Sequence, residues 1–193
     1  MKDKLIEYLN RNSPLSQEEK MSMVELFQVK TISKDKFWIR QNDTCNDIAF
    51  LASGILRIFQ QNDEIEEITL EFVLPGSFTT ALGIKHDNKS PWNFEAMTDC
   101  ELLLIDKKKH RSLVEKNAYS FDFYEKQLIN AYIRKEKQLV SFLHLKAEER
   151  LEILIMEQPK IFNMVPLKHI ASSLGITPET LSRLRKKLVK PIS

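Results

Sequence analysis

The chain has 193 residues, 42% of them apolar, with 29 Lys and Arg against 27 Asp and Glu for a formal net charge of +2. That length bounds it to one or two domains, and no run of about 18 apolar residues marks a membrane span. Two cysteines, Cys45 and Cys100, are too few for a disulfide framework or a zinc site, and Met1–Tyr8 lacks the apolar core of a signal peptide, so a cytoplasmic protein with reduced thiols is expected.

Lys4–Asn10 and Ser16–Phe27 read as short helices. Ser16 and Glu19 form a capping box, and Met23, Leu26 and Phe27 share a face. Between about 29 and 106 the period changes. Asp47–Ser53, Ile55–Gln60 and Ile65–Val73 are short apolar or alternating runs, punctuated by Gly54, Asn62-Asp63, Pro75-Gly76 and Gly83. Ile68, Leu70 and Phe72 alternate with Thr69, Glu71 and Val73. Phe94–Met97 and Glu101–Ile105 continue the pattern. Short strands at this spacing predict an antiparallel barrel or roll.

After Lys107-Lys108-Lys109-His110 the helical period returns. Ser120 to about Leu145 predicts a long helix without proline or glycine. One apolar stripe runs Phe121, Leu128, Tyr132, Leu139 and Phe142, and a second runs Ile129, Ile133, Val140 and Leu143. A helix apolar on two sides needs two partners. The expected ones are the roll and the same helix of a second subunit; a core helix of a single subunit is the other reading. Ala147–Glu157 predicts a further helix that ends near Pro159.

Residues 165–187 are the most informative. Pro166 suits the first turn of a helix. Ile170, Ala171 and Leu174 make one apolar face, and Ala171 is small enough for a second helix to cross closely. Gly175 can take φ > 0 and turn the chain, and Ile176 plugs the gap. Thr177 is an N-cap, Pro178 sits at N1, and Glu179 lies where the helix dipole favours an anion. Leu181, Leu184 and Leu188 form the buried stripe. Glu179, Thr180, Ser182, Arg183, Lys186 and Lys187 are left outside. This is a helix-turn-helix, which sets its second helix in the DNA major groove; an ordinary helical hairpin with a solvated basic face is the bland alternative.

Charge agrees with the motif. From Met164 to Ser193 there are six cations (Lys168, Arg183, Arg185, Lys186, Lys187, Lys190) and one acid (Glu179), or +5, which leaves −3 for the rest of a +2 chain. Positive charge is gathered where phosphate binding requires it. His86, His110, His144 and His169 share no metal-ligand spacing and read as surface or packing residues. No phosphate loop, nucleophile motif or framed carboxylate pair occurs, so neither enzymatic activity, metal nor cofactor is expected.

The order of roll, long helix and helix-turn-helix resembles the Crp/Fnr family of bacterial transcription regulators along nearly the whole chain. The carriers are Phe50-Leu-Ala-Ser-Gly-Ile-Leu-Arg-Ile, Pro75-Gly76-Ser-Phe, Glu95-Ala-Met-Thr-Asp-Cys-Glu-Leu, Ala147-Glu-Glu-Arg and, most specific, Ile170-Ala-Ser-Ser-Leu-Gly-Ile-Thr-Pro-Glu-Thr-Leu-Ser-Arg. The resemblance implies an α+β chain. A cyclic nucleotide-binding-like jelly roll occupies 1–115 and senses an effector, a dimerisation helix spans 116–145, and the helix-turn-helix fills 146–193 with a truncated wing. Its implied partners are double-stranded DNA, a second copy of the chain and RNA polymerase, with no membrane. The recognition helix spans 177–190 and reads a palindromic operator. Glu179 and Arg183 match the family's base-reading pair, while Thr177, Thr180, Ser182, Arg185, Lys186 and Lys187 complete the contact set.

Members that bind cyclic AMP carry a glutamate for the ribose and an Arg-Ser pair for the cyclic phosphate. Here Ala81 matches the glutamate and Ser90-Pro91 the pair. A cyclic phosphate buried without a cation loses its main charge-assisted contact, so cyclic AMP is not the expected effector. The pocket wall is expected to include Phe72, Phe78, Ala81, Leu82, Ser90, Trp92 and Phe94, which suits an apolar ligand or simply fills the roll. The cysteine cluster of the iron–sulfur branch is missing and no haem ligand is identifiable. The alternative function is a ligand-binding or protein-interaction module with vestigial DNA binding.

Overall fold

The structure, a computed structural model, describes residues 1–62, 66–80, 89–116 and 118–189. Helices α1 (Lys2–Asn12) and α2 (Gln17–Glu25) open the chain. The Ser16 hydroxyl accepts from the Glu19 N–H at 3.3 Å, and the Glu19 carboxylate accepts from the Ser16 N–H at 2.8 Å, which completes the expected capping box. Because α2 ends at Glu25, Leu26 becomes its C-cap and stays exposed, while Val24 joins Met23 and Phe27 inside.

Strands β1 (Gln28–Ile32), β2 (Phe37–Ile39), β3 (Asp47–Ser53), β4 (Leu56–Gln61), β5 (Glu67–Val73), β6 (Ser77–Thr79), β7 (Asn93–Ala96) and β8 (Cys100–Asp106) follow. They pair antiparallel as two four-stranded sheets, β1-β8-β3-β6 and β2-β7-β4-β5. The expected antiparallel roll is therefore present. Trp38, Leu51, Leu56, Ile58, Phe94 and Leu102 fill the space between the sheets. The outer face of the first sheet is covered by α1 and α2 through Leu5, Leu9, Phe27, Phe50 and Leu103. With both faces covered, β3 and β8 read as apolar runs rather than alternations. Gly54 turns β3 into β4 at φ +88°, where a Cβ would lie 2.4 Å from the Asp99 carbonyl oxygen. That turn has room only for glycine.

One departure from regular pairing shapes the second sheet. Opposite β5, Ile58 pairs with Glu71 but Phe59 pairs with Thr69, so Leu70 is an extra, bulged residue. The expected set of Ile68, Leu70 and Phe72 on one face is thereby broken. Ile68 is exposed, Leu70 packs toward the inside of the roll, and Phe72 lies on its outside. The bulge puts Glu67, Thr69 and Phe72 together on the outer face of the sheet, beside Arg57 of β4.

Five helices follow α3 (Lys107–Lys116) among the described residues: α4 (Ala118–His144), α5 (Ala147–Glu157), α6 (Ile161–Met164), α7 (Leu167–Ser173) and α8 (Pro178–Val189). The long helix α4 meets the roll and α1 through buried Phe123 and three polar contacts, one of them the ion pair of Lys135 with Glu71. Gln127 accepts from the Tyr8 hydroxyl at 2.7 Å, and the Gln138 amide donates to the Leu70 carbonyl at 2.8 Å. Neither apolar stripe packs on the roll, contrary to expectation. All nine side chains are 42–70% exposed, because Phe123, Gln127, Ala131 and Gln138 occupy the roll-facing side instead. No helix among the described residues is long and apolar enough to cross a membrane.

A candidate nucleic-acid interface and its attachment to the roll

The C-terminal helices share a core of Leu151, Ile161, Val165, Ile170, Ala171, Leu174 and Leu181, with Ile176, Leu184 and Leu188 partly buried against it. Pro166 is the N-cap of α7, one place earlier than its expected first turn. Gly175 takes φ +66°, and a Cβ there would lie 3.1 Å from the Phe142 ring. Thr177 caps α8, its hydroxyl accepting from the Thr180 N–H at 3.2 Å. The glycine turn, the cap and the leucine stripe stand where the sequence put them.

On α8, Glu179, Ser182, Arg183 and Lys186 are all exposed. Their spacing of i, i+3, i+4 and i+7 lines one side of the helix. The Glu179 carboxyl is held below its usual range by backbone N–H donation at the helix start, with the Thr177 hydroxyl and Arg183 assisting. Three other expected contacts are engaged within the protomer. Thr180 is half-buried with its hydroxyl 3.1 Å from that of Thr177. Arg185 stacks over the Phe162 ring at 4.9 Å. Lys187 pairs with Glu148 of α5 at 2.7 Å. Thr180 and Arg185 point off the Glu179–Arg183 face because the helix turns about 100° per residue, whereas Lys187, four residues after Arg183, lies at its margin. Lys190 lies outside the described residues.

The expected effector pocket does not come together as one wall. Phe94 and Trp92 pack inside the roll. Phe78 faces α1 and α4, its ring 5.5 Å from Tyr8 and 6.2 Å from Phe123. Phe72 lies on the outside among the C-terminal helices. Successive strand residues alternate faces, so apolar neighbours in sequence serve different cores. Ala81 and Leu82 lie outside the described residues. Ser90 is 1% exposed, and its hydroxyl donates to the Trp92 carbonyl at 2.6 Å and accepts from the Trp92 N–H at 3.2 Å. Cys45 and Cys100 are free and buried, and burial pushes the Cys100 thiol up to about 11. No metal-holding cluster occurs among the described residues.

A polar cluster that no sequence pattern reveals joins the roll to the helix-turn-helix. Arg57 is wholly buried on the outer face of the second sheet. Its guanidinium donates to Glu67 at 2.7 Å, Glu95 at 3.3 Å and the Thr69 hydroxyl at 2.9 Å, and lies over the Phe59 ring. His169 of α7 places Nδ1 3.9 Å from Glu67. The Ser172 hydroxyl of α7 accepts from the Thr69 N–H at 2.9 Å and donates to the Glu67 carbonyl at 3.1 Å, pairing backbone groups at the open edge of β5. At the other side of the motif, Arg150 donates to the Leu145 and Leu174 carbonyls and lies over the Phe142 ring. Phe142, expected in the dimer stripe, thus also supports the turn inside its own protomer.

Comparison with known proteins agrees with this arrangement. The cyclic nucleotide-binding domain family matches residues 29–117. The cAMP-activated global transcriptional regulator CRP of Haemophilus influenzae is 22% identical over 162 residues, covering 78% of this chain and 72% of that protein. The structure of FixK2 from Bradyrhizobium japonicum superposes with a TM-score of 0.73 at 16% identity, covering 84% of each chain. That of a Crp/Fnr-family regulator from Eubacterium rectale gives 0.70 at 17% identity, covering 94% of this chain and 87% of that one. The chain thus carries a cyclic nucleotide-binding domain over residues 29–117, followed by a long helix and a helix-turn-helix, and its fold is similar to that of Crp/Fnr-family regulators.

Proposed function

We propose that the protein is a homodimeric DNA-binding regulator that reads a palindromic operator with α8. The exposed row of Glu179, Ser182, Arg183 and Lys186 carries this reading. Arg183 takes guanine O6 and N7 bidentately, and Glu179 accepts from cytosine N4. Lys186 contributes phosphate affinity, and so does Lys187 when it exchanges Glu148 for the backbone. Thr177 and Thr180 hold the helix start, and Arg185 sets the helix against Phe162. Residues 1–115 form the effector domain, 116–145 the dimerisation helix and 146–193 the DNA-binding domain. The nine exposed apolar side chains of α4 support the dimer, because such a patch on a protomer marks an association surface.

The effector domain does not take cyclic AMP. The buried Ser90 hydroxyl is already satisfied by Trp92, Pro91 has no N–H, and the pair is flanked by Lys89 and Trp92, with no adjoining arginine to take a cyclic phosphate bidentately. Selection of bound sequences from a random DNA pool tests the function. The expected result is an enriched inverted repeat whose binding weakens steeply with salt. No enriched sequence, with affinity independent of salt, refutes DNA reading and favours the interaction-module alternative.

A further inference from the structure

The contact between β5 and α7 is polar at its centre. Arg57, Glu67, Glu95 and Thr69 belong to the roll, and the helix-turn-helix brings the imidazole of His169 to within 3.9 Å of Glu67. His169 is 8% exposed and Arg57 is wholly buried. Among the described residues Arg57 Nη2 finds no acceptor, so the cluster is short of one acceptor even when closed. An apolar rim of Ile55, Phe72 and Met97 against Ile170 and Leu174 surrounds it.

We propose that this cluster is a proton-sensitive clasp: with His169 neutral it holds the helix-turn-helix on β5, and protonation of His169 releases it. The charges facing the imidazole explain the sign. Arg57 of β4 and Lys168 of α7 repel a protonated ring, while Glu67 of β5 and Asp35 of the β1–β2 turn attract it. Glu95 of β7 is spent on Arg57. The neighbouring α8 packs through Leu181 and keeps Glu179, Arg183 and Lys186 on its exposed side. Burial opposes the charged form first, and the two cations add to it, so the docked imidazole titrates at about 4 instead of 6.5.

A released His169 regains water and its ordinary value. Docking is therefore unaffected above about 6.5, weakens as pH falls through that value, and stops weakening below about 4. Those two values give about a 20-fold loss of docking between pH 7 and pH 5. Glu95 is itself held above the ordinary carboxylate range by burial, but its partners Arg57 and Glu67 stay with it in the roll when the helices leave. What the release changes is the freedom of α8 relative to α4, and the clasp can be examined without DNA.

Hydrogen exchange of the full chain at pH 7 and pH 5, corrected for intrinsic rates, tests it. Protection in segments 67–73 and 167–174 is expected to fall about 20-fold, while segment 101–105 in the centre of the first sheet holds. His169→Gln should keep its protection at both pH values. Lys168→Ala, an exposed change that leaves the imidazole in place, should shrink the loss. The clasp is overturned if wild-type protection is unchanged, if segment 101–105 loses as much, if His169→Gln loses as much as wild type, or if Lys168→Ala leaves the loss unaltered.

Discussion

Leu128→Glu or Leu139→Glu on α4 should convert the proposed dimer to a monomer without unfolding it. Each of the nine apolar side chains along the two stripes is about half exposed in the protomer. Burying such a side chain completely is worth about 1.5–3 kcal/mol, so the exposed half contributes about 1 kcal/mol. Two facing helices thus gain about 18 kcal/mol before association costs of about 4–15 kcal/mol, which leaves about 3–14 kcal/mol, a range centred at about 8.2 kcal/mol, the value for a micromolar dimer. A glutamate at Leu128 forfeits about 1 kcal/mol on each helix and asks two carboxylates to leave water at several kcal/mol apiece. The total exceeds most of that surplus. Because Leu128 and Leu139 are 49% and 55% exposed, neither contributes much to the protomer core. Sedimentation velocity at 1–50 µM, on the order of the expected dissociation constant, should show wild-type dimer and variant monomer with unchanged circular dichroism. A monomeric wild type, or a dimer that survives both substitutions, refutes the seam.

Arg183→Ala should cost about 1–3 kcal/mol per half-site on the selected operator and relax specificity there; equal losses on operator and random DNA in anisotropy titrations count against base reading. Lys186→Ala should weaken all sequences alike and lower the salt slope by about one unit per subunit, which a titration series in salt will measure. Gly54→Ala should lower stability by about 3 kcal/mol in denaturant unfolding, since its Cβ meets the Asp99 carbonyl and its φ is +88°; a loss near zero means the turn can shift. Calorimetry with millimolar cyclic AMP should show no saturable heat, and micromolar binding would prove the reading of Ser90-Pro91 wrong.

The helix-turn-helix was legible because local chemistry determines it. A glycine in the left-handed region, an N-cap and a leucine stripe each act within a few residues. The short strands β1, β2 and β6 were not, because three to five residues carry too little pattern to separate from loop. How the expected effector-pocket residues divide among the cores is not legible for a different reason. Phe72, Phe78 and Phe94 are all large and apolar, but which core each serves depends on strand face and on what lies across it. The two stripes of α4 were visible, yet the side that packs inward was not: α1 and the roll are met by Gln127 and Gln138, polar residues that no hydrophobic period reveals. Arg57 sits inside the Phe50–Ile58 motif, and only the folded sheet shows that it is buried.

The bulge at Leu70 is where these parts meet. Regular alternation along β5 would give one face to Ile68, Leu70 and Phe72 and the other to Thr69, Glu71 and Val73. With one extra residue, the pairing of Phe59 with Thr69 and of Arg57 with Phe72 brings Thr69 and Phe72 to the same face, and Glu67 with them. That face is the one α7 occupies through Ser172 and His169. The carbonyl of the bulged Leu70 takes its hydrogen bond from Gln138 of α4, and the next residue, Glu71, pairs with Lys135 of the same helix. So β5 is held by the long helix at 70–71 and by the helix-turn-helix at 67–69, over five consecutive residues. Its other neighbour, β4, carries Leu56 and Ile58 into the roll and Arg57 out to the clasp. The long helix and the helix-turn-helix are therefore bonded to the same short stretch of β5. The break in the sequence pattern marks the place where the fold ties its roll and its helix-turn-helix to one strand.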